Sequence, residues 1–215
     1  MRAHAKRADP LECNVSVVRF SRRLWFGLLA AWSLLGCAAG FAASPDWTVD
    51  RLMQSLSRQT SGQATFVERK YLAVLDQPVE SSGELRFRAP DRLEKITLKP
   101  KPESLVLEGN TVTVNRGKKQ YVVQLSDYRE VAAFVDSIRA TLAGDRATLE
   151  RTYALHLAGS PDNWTLTLLP RDPRMAELVL RIDIKGSRGL LREIEIRQAD
   201  GDRSVMEIAA AGGTQ

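Results

Sequence analysis

Histidine and cysteine are scarce in this 215-residue chain, which has two of each. Both cysteines, Cys13 and Cys37, lie within the first 43 residues, so the rest of the chain is expected to have no disulfide, cysteine-ligated metal or thiol nucleophile. His156 is the only histidine beyond that region. Zinc sites usually need several histidine or cysteine ligands, so we expect no metal site. We expect His156 to be a surface residue on a strand, and we predict no enzymatic activity.

Most of the excess of positive charge lies at the beginning of the chain. The whole sequence has 31 Lys and Arg against 26 Asp and Glu, a net charge of +5. Residues 1–43 hold six of the cations and two of the acids, so the remainder has 25 and 24 and a net charge of +1. Nucleic-acid binding depends mainly on neutralising phosphates, so this nearly neutral remainder gives no indication of a nucleic-acid partner.

The first 43 residues have the three parts of a secretory leader. Arg19, Arg22 and Arg23 precede an uncharged run over residues 24–43, which ends in small residues. We therefore assign residues 1–43 to an N-terminal extension with a signal peptide and residues 44–215 to a single exported domain. The predicted location of that domain is the periplasm.

Three outcomes for this leader stay open. Small residues at positions 40 and 42 fit cleavage after Ala42, which would release a domain that begins near Ala43. Residues 34–37 (LLGC) fit a lipobox, in which Cys37 would be lipid-modified and become an anchor. The uncharged run, about 20 residues long, also has the length of an uncleaved membrane anchor.

The rest of the chain is predicted to be mainly antiparallel β-structure with two amphipathic helices. Apolar residues at helical spacing predict helices over residues 46–60 and 127–144, which end at Gly62 and Gly144. Ten or eleven short segments of alternating apolar and polar residues, joined by short turns, predict strands. They cover residues 64–71, 83–88, 92–98, 103–108, 111–116, 119–125, 151–157, 164–169, 178–185, 190–197 and 204–209.

A sheet of that many strands must curl, close or split. Two amphipathic helices of this length cannot bury their apolar stripes by packing only against each other. The predicted fold is therefore α+β, mainly antiparallel β: an incomplete, half-open β-barrel of about 11 strands with a helical lid over a hydrophobic cavity. If the helices fill the interior, the space is a core; if they form a lid, the space accepts an acyl chain. The sequence leaves these two alternatives open.

Several short segments follow the first predicted helix in a distinctive order. They are residues 64–66 (ATF), 83–90 (GELRFRAP), 102–111 (PESLVLEGNT), 142–145 (LAGD), 164–172 (WTLTLLPRD) and 194–201 (IEIRQADG). The second is similar to a Gly-x-Leu-x-x-x-x-Pro strand, and the third ends in an acidic residue, Gly and a polar turn. In this order they resemble the periplasmic outer-membrane lipoprotein carrier (LolA) family, in particular a divergent LolA-related branch, over residues 46–209.

The resemblance implies an eleven-stranded incomplete barrel that binds the acyl chains of a lipoprotein or other envelope lipid and shuttles it toward the outer membrane, with no cofactor. It implies an acylated cargo, an inner-membrane exporter and an outer-membrane acceptor as partners, and we expect a monomer. One position departs from the family, which places a lid-latching arginine directly before the proline of the Gly-x-Leu strand. Here that position is Ala89. Arg88 would point to the opposite face of the strand, so control of the lid does not follow from the resemblance.

The predicted lipid-binding residues are apolar side chains of the concave face and of the second helix. They are Phe66, Leu85, Phe87, Leu93, Leu105, Leu107, Val112, Val114, Tyr121 and Val123 on the strands, with Phe134, Ile138 and Leu142 on the helix. Each buried methylene of an acyl chain would contribute roughly 0.8 kcal/mol, enough to hold a lipid without polar chemistry.

Two other functions compete with the carrier. A membrane-tethered lipid receptor or sensor of the same fold would follow if Cys37 is lipidated or the leader is retained. A hydrolase acting on envelope material would depend on His156 alone.

Overall fold

Alternating side chains and short turns give this chain a predominantly β structure. A computed structural model describes residues 47–211, apart from the side chains of residues 129–131. Within that range the strands are β1 (Ser61–Tyr71), β2 (Val79–Arg88), β3 (Arg92–Lys99), β4 (Glu103–Glu108), β5 (Thr111–Arg116), β6 (Lys119–Gln124), β7 (Tyr153–Ser160), β8 (Asn163–Pro170), β9 (Val179–Ser187), β10 (Leu190–Gln198) and β11 (Arg203–Ala210). The helices are α1 (Val49–Leu56), α2 (Arg129–Ala143), α3 (Arg146–Thr152) and α4 (Pro173–Ala176), with a 3-10 turn over Leu125–Asp127.

These strands form one antiparallel sheet in the order β6-β5-β4-β3-β2-β1-β11-β10-β9-β8-β7. Two meanders, β1–β6 and β7–β11, are joined where β1 pairs with β11 and places Phe66 opposite Ile208. In the described part of the chain, β6 and β7 each pair with one neighbour only, so the sheet is not closed. The predicted half-open, mainly antiparallel fold of about 11 strands is confirmed.

The first helix is shorter than its predicted range of 46–60. It begins after Thr48, whose Oγ1 accepts a hydrogen bond from the Arg51 backbone N–H at 3.4 Å. Its apolar face buries Leu52, Met53 and Leu56. Strand β1 then begins at Ser61, before the predicted start at residue 64, because the sheet ladder with β2 extends back to Ser61.

The second helix ends where it meets the first. Gly144 caps α2 with a φ of 67°, in the left-handed region that favours glycine. A Cβ atom at this position would lie 2.2 Å from the Met53 carbonyl oxygen. The close approach of α1 and α2 therefore requires glycine for two independent reasons.

Two short helices were not predicted. Asp145 caps α3, since its Oδ1 accepts a hydrogen bond from the Thr148 backbone N–H at 3.0 Å. The predicted strand over 151–157 is therefore wrong at its beginning, because residues 151 and 152 belong to α3. Asp172 caps α4 in the same way and is followed by Pro173, which suits a first helical position.

The interior is filled on the β7–β9 side of the sheet. The fully buried side chains there include Trp164, Leu166, Leu168, Ile182 and Ile184, which pack against residues of all four helices. The Nε1 of Trp164 donates to the Arg188 carbonyl oxygen at 2.9 Å. Its ring lies so close to Gly186 that a Cβ there would be 2.2 Å from the indole. On this side, the helices and the sheet form an ordinary packed core.

The opposite face of the sheet is charged. Arg69 lies between Glu80 and Glu207, with nitrogen–oxygen distances of 3.1 and 2.8 Å. Across β8 and β9, the Asp183 carboxylate accepts hydrogen bonds from Thr167 and Arg181, both at 2.6 Å. Exposed ion pairs of the Arg69 kind contribute little to stability. An apolar ligand would find no matching surface on this face.

The leader prediction lies outside the described residues, together with Cys13, Cys37 and the cleavage position after Ala42. Among residues 47–211, no helix has both the length and the apolar character needed to cross a bilayer. Within the same range, no three His, Cys, Asp or Glu side chains are grouped so that they could hold a metal ion.

Candidate functional site

An apolar cavity of about 770 Å³ lies between the sheet and α2, on the side formed by β1–β4, β10 and β11. The helix presents Phe134, Val135, Ile138 and Leu142 to it. Binding sites for small ligands commonly have volumes of about 300–1,000 Å³. Both alternatives left open by the sequence are therefore present, a filled core under one half of the sheet and an open space under the other.

Eight of the thirteen predicted site residues border this cavity: Leu85, Phe87, Leu93, Leu105, Leu107, Phe134, Ile138 and Leu142. Phe66 lies on the same face of the sheet but is buried, and the Lys95 Nζ covers its ring at 4.9 Å from the ring centre. The other four share this face because they pair with Leu105 and Leu107 through β5, but they lie beyond the cavity toward the free edge of β6. They are Val112, Val114, Tyr121 and Val123.

The wall on the β10–β11 side was missing from the prediction. Ile194 and Ile196 on β10, with Met206 and Ile208 on β11, also border the cavity. Their alternation was visible in the sequence. Their place opposite β1 was not, because it depends on the pairing of the two ends of the domain.

The cavity extends along almost the whole length of β1. Its wall includes Ser61 at one end and Leu72 at the other. At roughly 3.3 Å per residue, these positions are about 35 Å apart along the strand. The space is thus elongated and suits a flexible chain better than a compact molecule.

A polar cluster interrupts the apolar wall. Glu68 is buried, and its side chain is 8 % exposed. It accepts hydrogen bonds from Lys95 Nζ at 2.5 Å, Ser204 Oγ at 2.9 Å and Ser81 Oγ at 3.4 Å, while Lys70 Nζ lies 3.8 Å away. Burial alone would raise the pKa of Glu68, but the hydrogen bond and charge of Lys95, with the charge of Lys70, hold that pKa below its ordinary value of 4.5. Glu68 is therefore ionised at neutral pH.

Arg139 attaches α2 to the rim of the cavity. Its Nη2 donates to the backbone carbonyl of Asp91 at 3.1 Å and, by a shorter contact, to that of Gly109. These acceptors lie in the β2–β3 and β4–β5 turns, which are themselves joined because the Gly109 N–H donates to Asp91 Oδ2 at 3.1 Å. The Arg139 side chain is only 15 % exposed, so these charged hydrogen bonds are partly shielded from water.

Tyr153 contacts the other side of the same helix. Its hydroxyl donates to the Ala133 carbonyl oxygen at 3.5 Å. Burial raises the pKa of Tyr153 to about 12, so the hydroxyl stays protonated and able to donate. Helix α2, which covers the cavity and is called the lid helix below, is thus attached to the packed core through Tyr153 and to the cavity rim through Arg139.

Arg139 takes the place of the arginine that the family resemblance implies at position 89, and the sequence analysis did not identify it. Ala89, where the resemblance implies an arginine, lies two residues before Asp91 in the same turn. Arg88 is exposed and alternates with Phe87, which faces the cavity, so Arg88 points away from the lid. The cation at this rim is instead supplied by α2.

His156 is exposed on β7, between Leu155 and Leu157, which pack against the core. Alternation places its imidazole on the charged outer face, away from the cavity.

Residues 39–214 match a family model described as outer membrane lipoprotein carrier protein LolA-like. A comparison with curated protein sequences gives no match. Similar solved structures include the LolA superfamily protein NE2245 from Nitrosomonas europaea, at 12% identity over 76% of this chain and 92% of that chain, with a TM-score of 0.42. A putative outer membrane lipoprotein-sorting protein domain from Vibrio parahaemolyticus has 8% identity over 78% and 92%, with a TM-score of 0.41.

A chain of the MucA/MucB complex of Pseudomonas aeruginosa is also similar, at 19% identity and a TM-score of 0.39. The alignment covers 77% of this chain and 57% of that one, so this protein spans little more than half of its length. The family model, by contrast, matches most of the present sequence. The chain therefore belongs to the outer membrane lipoprotein carrier protein LolA-like family.

Proposed function

We propose that this protein is a non-enzymatic periplasmic carrier that binds the acyl chains of a lipoprotein or another envelope lipid in the cavity beneath α2. The observation that supports this most directly is the elongated, aliphatic cavity of about 770 Å³, in a protein whose other half is tightly packed. The family description, a lipoprotein carrier, agrees with it.

Acyl chains need no specific polar recognition to bind in such a space. Burying ten methylenes would contribute roughly 8 kcal/mol at 0.8 kcal/mol each, before the cost of immobilising ligand and lid. The surplus over that cost allows binding that is firm and still reversible, as a carrier requires.

Loading and release require α2 to move, because Phe134, Ile138 and Leu142 cover the cavity. The two hydrogen bonds of Arg139 oppose that movement. Family analogy supports an exporter in the inner membrane as the donor of the cargo and an acceptor at the outer membrane as its destination. A monomer suffices for this cycle, since the described cavity is built from one chain.

The leader decides between a shuttle and a tethered receptor or sensor. Release near Ala43 would support shuttling between membranes. An acylated N-terminal Cys37, or a retained leader, would support reception of lipid at one membrane. Intact mass and N-terminal sequencing of the protein from its own envelope distinguish these outcomes.

The carrier function is tested by native mass spectrometry and lipid extraction on protein purified from its own envelope. We expect the wild-type protein to carry a bound acylated molecule, and the Leu105→Asn variant to carry less of it. Val106→Asn is the matched control, since Val106 is equally half-buried on β4 but faces away from the cavity. A lipid-free wild-type protein that takes up no acyl chain on incubation would contradict the proposal.

A further inference from the structure

A charged side chain stands in an otherwise aliphatic row of the cavity wall. Across β1, β2, β3 and β4, the directly paired residues are Ala64, Leu85, Lys95 and Leu105. All four border the cavity. A neutral hydrocarbon ligand would be served better by another leucine at position 95, because an ammonium group beside apolar atoms must be compensated.

Glu68 compensates the ammonium of Lys95 but leaves hydrogen-bond donors in excess. The carboxylate already accepts from Lys95, Ser204 and Ser81, close to the roughly four bonds that its two oxygens can accept. In the part of the chain that the structure describes, Lys95 has one hydrogen-bond acceptor, the Glu68 carboxylate, for three N–H groups, and its other polar contact is the face of Phe66. The groups of this cluster that remain free to form hydrogen bonds are therefore mainly the N–H donors of Lys95.

The net charge of the cluster favours an anion, as its excess of hydrogen-bond donors does. Lys95 and Lys70 face one carboxylate, Glu68, which gives the three groups a net charge of +1. A one-to-one ion pair would be explained by the packing of the sheet alone. Lys70, 3.8 Å from the carboxylate and half exposed, is a second cation that such a pair does not require.

We propose that Lys95, oriented by Glu68 and assisted by Lys70, is an anion-binding subsite in the cavity wall, and that the ligand is an amphiphile with a carboxylate or phosphate next to its acyl chain. This inference rests on the proposed carrier function and narrows its ligand class. The free N–H groups of Lys95 donate to an anionic oxygen, and the Lys95 side chain is only 26 % exposed, so its aliphatic surroundings strengthen such bonds. The acyl chain then extends along the apolar wall toward Leu85 and Phe87.

The test compares ligands that differ only in the anionic group, on protein purified from its envelope and freed of lipid. Oleate is paired with oleyl alcohol, and oleoyl lysophosphatidic acid with monooleoylglycerol. Affinities are measured by displacement of a neutral fluorescent acyl probe. We expect the anionic member of at least one pair to bind about tenfold more tightly or better. The pair with the larger ratio distinguishes a carboxylate from a phosphate.

The Lys95→Met variant keeps the aliphatic stem and removes the ammonium. We expect it to reduce the anionic-to-neutral ratio to about one, because the anionic member loses its ammonium partner. Lys118→Met, on the exposed β5–β6 turn, is the control and should keep the wild-type ratio. Should Lys95→Met fail to fold because Glu68 is left unpaired, the double variant Glu68→Gln/Lys95→Met removes both charges together.

Failure of the subsite and failure of the carrier give different results. Equal affinities for both members of each pair, or a preference that persists without Lys95, would overturn the anion subsite and leave the carrier intact. If the wild-type protein bound none of the four ligands, the carrier function itself would be wrong.

Discussion

Arg139, on the lid helix, donates a hydrogen bond to the backbone carbonyl of Asp91, 3.1 Å away in the turn that follows β2. The family resemblance places a latching arginine two residues earlier in this same turn, where the present chain has Ala89. Here the cation is on the helix and its acceptors are on the sheet. The contact still joins the lid helix to the turn after β2, but the arginine belongs to the helix and not to the turn.

Replacing Arg139 with Met should loosen the lid. The carbonyls of Asp91 and Gly109 lose a charged donor, so we expect the free energy of unfolding to fall by about 1–3 kcal/mol and the amides of α2 to exchange faster than those of the strands. Urea unfolding and hydrogen exchange measure the two effects. Arg88→Met is the control, because Arg88 is exposed on the other face. Equal exchange in α2 for both variants would show that Arg139 is not a latch.

The Glu68 cluster should make stability depend on pH in the acid range. Because the folded-state pKa of Glu68 lies below 4.5, its ion pair stabilises the protein above the unfolded-state pKa. That stabilisation is lost as the pH falls through the folded-state pKa. We expect Glu68→Gln to cost about 3 kcal/mol at pH 7 and progressively less below pH 4. Glu80→Gln, at an exposed ion pair, should show little difference at either pH. A pH-independent difference for Glu68→Gln would contradict this account.

The packing of Trp164 on Gly186 predicts a strong effect of a single methyl group. In the Gly186→Ala variant the new Cβ would lie 2.2 Å from the indole, so the ring or the strand must shift. We expect a loss of about 1–3 kcal/mol and a changed tryptophan emission spectrum. Gly62→Ala is a suitable comparison, because no atom lies within 4 Å of a Cβ there. Similar stability of the two variants would mean that β8 and β9 pack less tightly than described.

The cavity should end before the edge of the sheet. Leu85 borders it, whereas Tyr121, on β6 and 48 % exposed, lies on the same face but beyond it. We expect Leu85→Ser to weaken binding of a fluorescent acyl probe about tenfold through lost apolar contact, and Tyr121→Ser to change it less than twofold. If both variants weaken binding equally, the ligand-binding face extends to β6.

Much of the fold could be predicted because its strands obey simple alternation. The bounds of β4 and β5 agree with the predicted segments 103–108 and 111–116, where turn residues mark each end. The helix α3 was missed because Leu149 is its only buried residue, too little to produce an apolar stripe in seven residues. Its capping residue, Asp145, was the available signal.

The site was predicted less completely than the fold. Lys95 lies two residues after Leu93, so alternation alone places it on the cavity face, but the predicted site was restricted to apolar side chains. The wall formed by β11 depends on a pairing between residues more than 130 positions apart, such as Phe66 and Ile208. Nothing in the local sequence marks Arg139, since its acceptors are backbone carbonyls in distant turns.

Because β6 and β7 do not pair with each other among the described residues, backbone hydrogen bonds do not fix the width of the interior. In a closed barrel, strand number and stagger set the diameter through backbone hydrogen bonds. In the chain described here, the segment that contains α2 and α3 connects the two edges, and they share no ladder. Spreading the sheet would break no strand–strand hydrogen bond. It would instead change the packing of side chains beneath the helices and the contacts of Arg139 with the rim. No strand ladder in this part of the chain therefore fixes the width of the cavity, and substitutions on α2 can adjust its volume without changing the architecture.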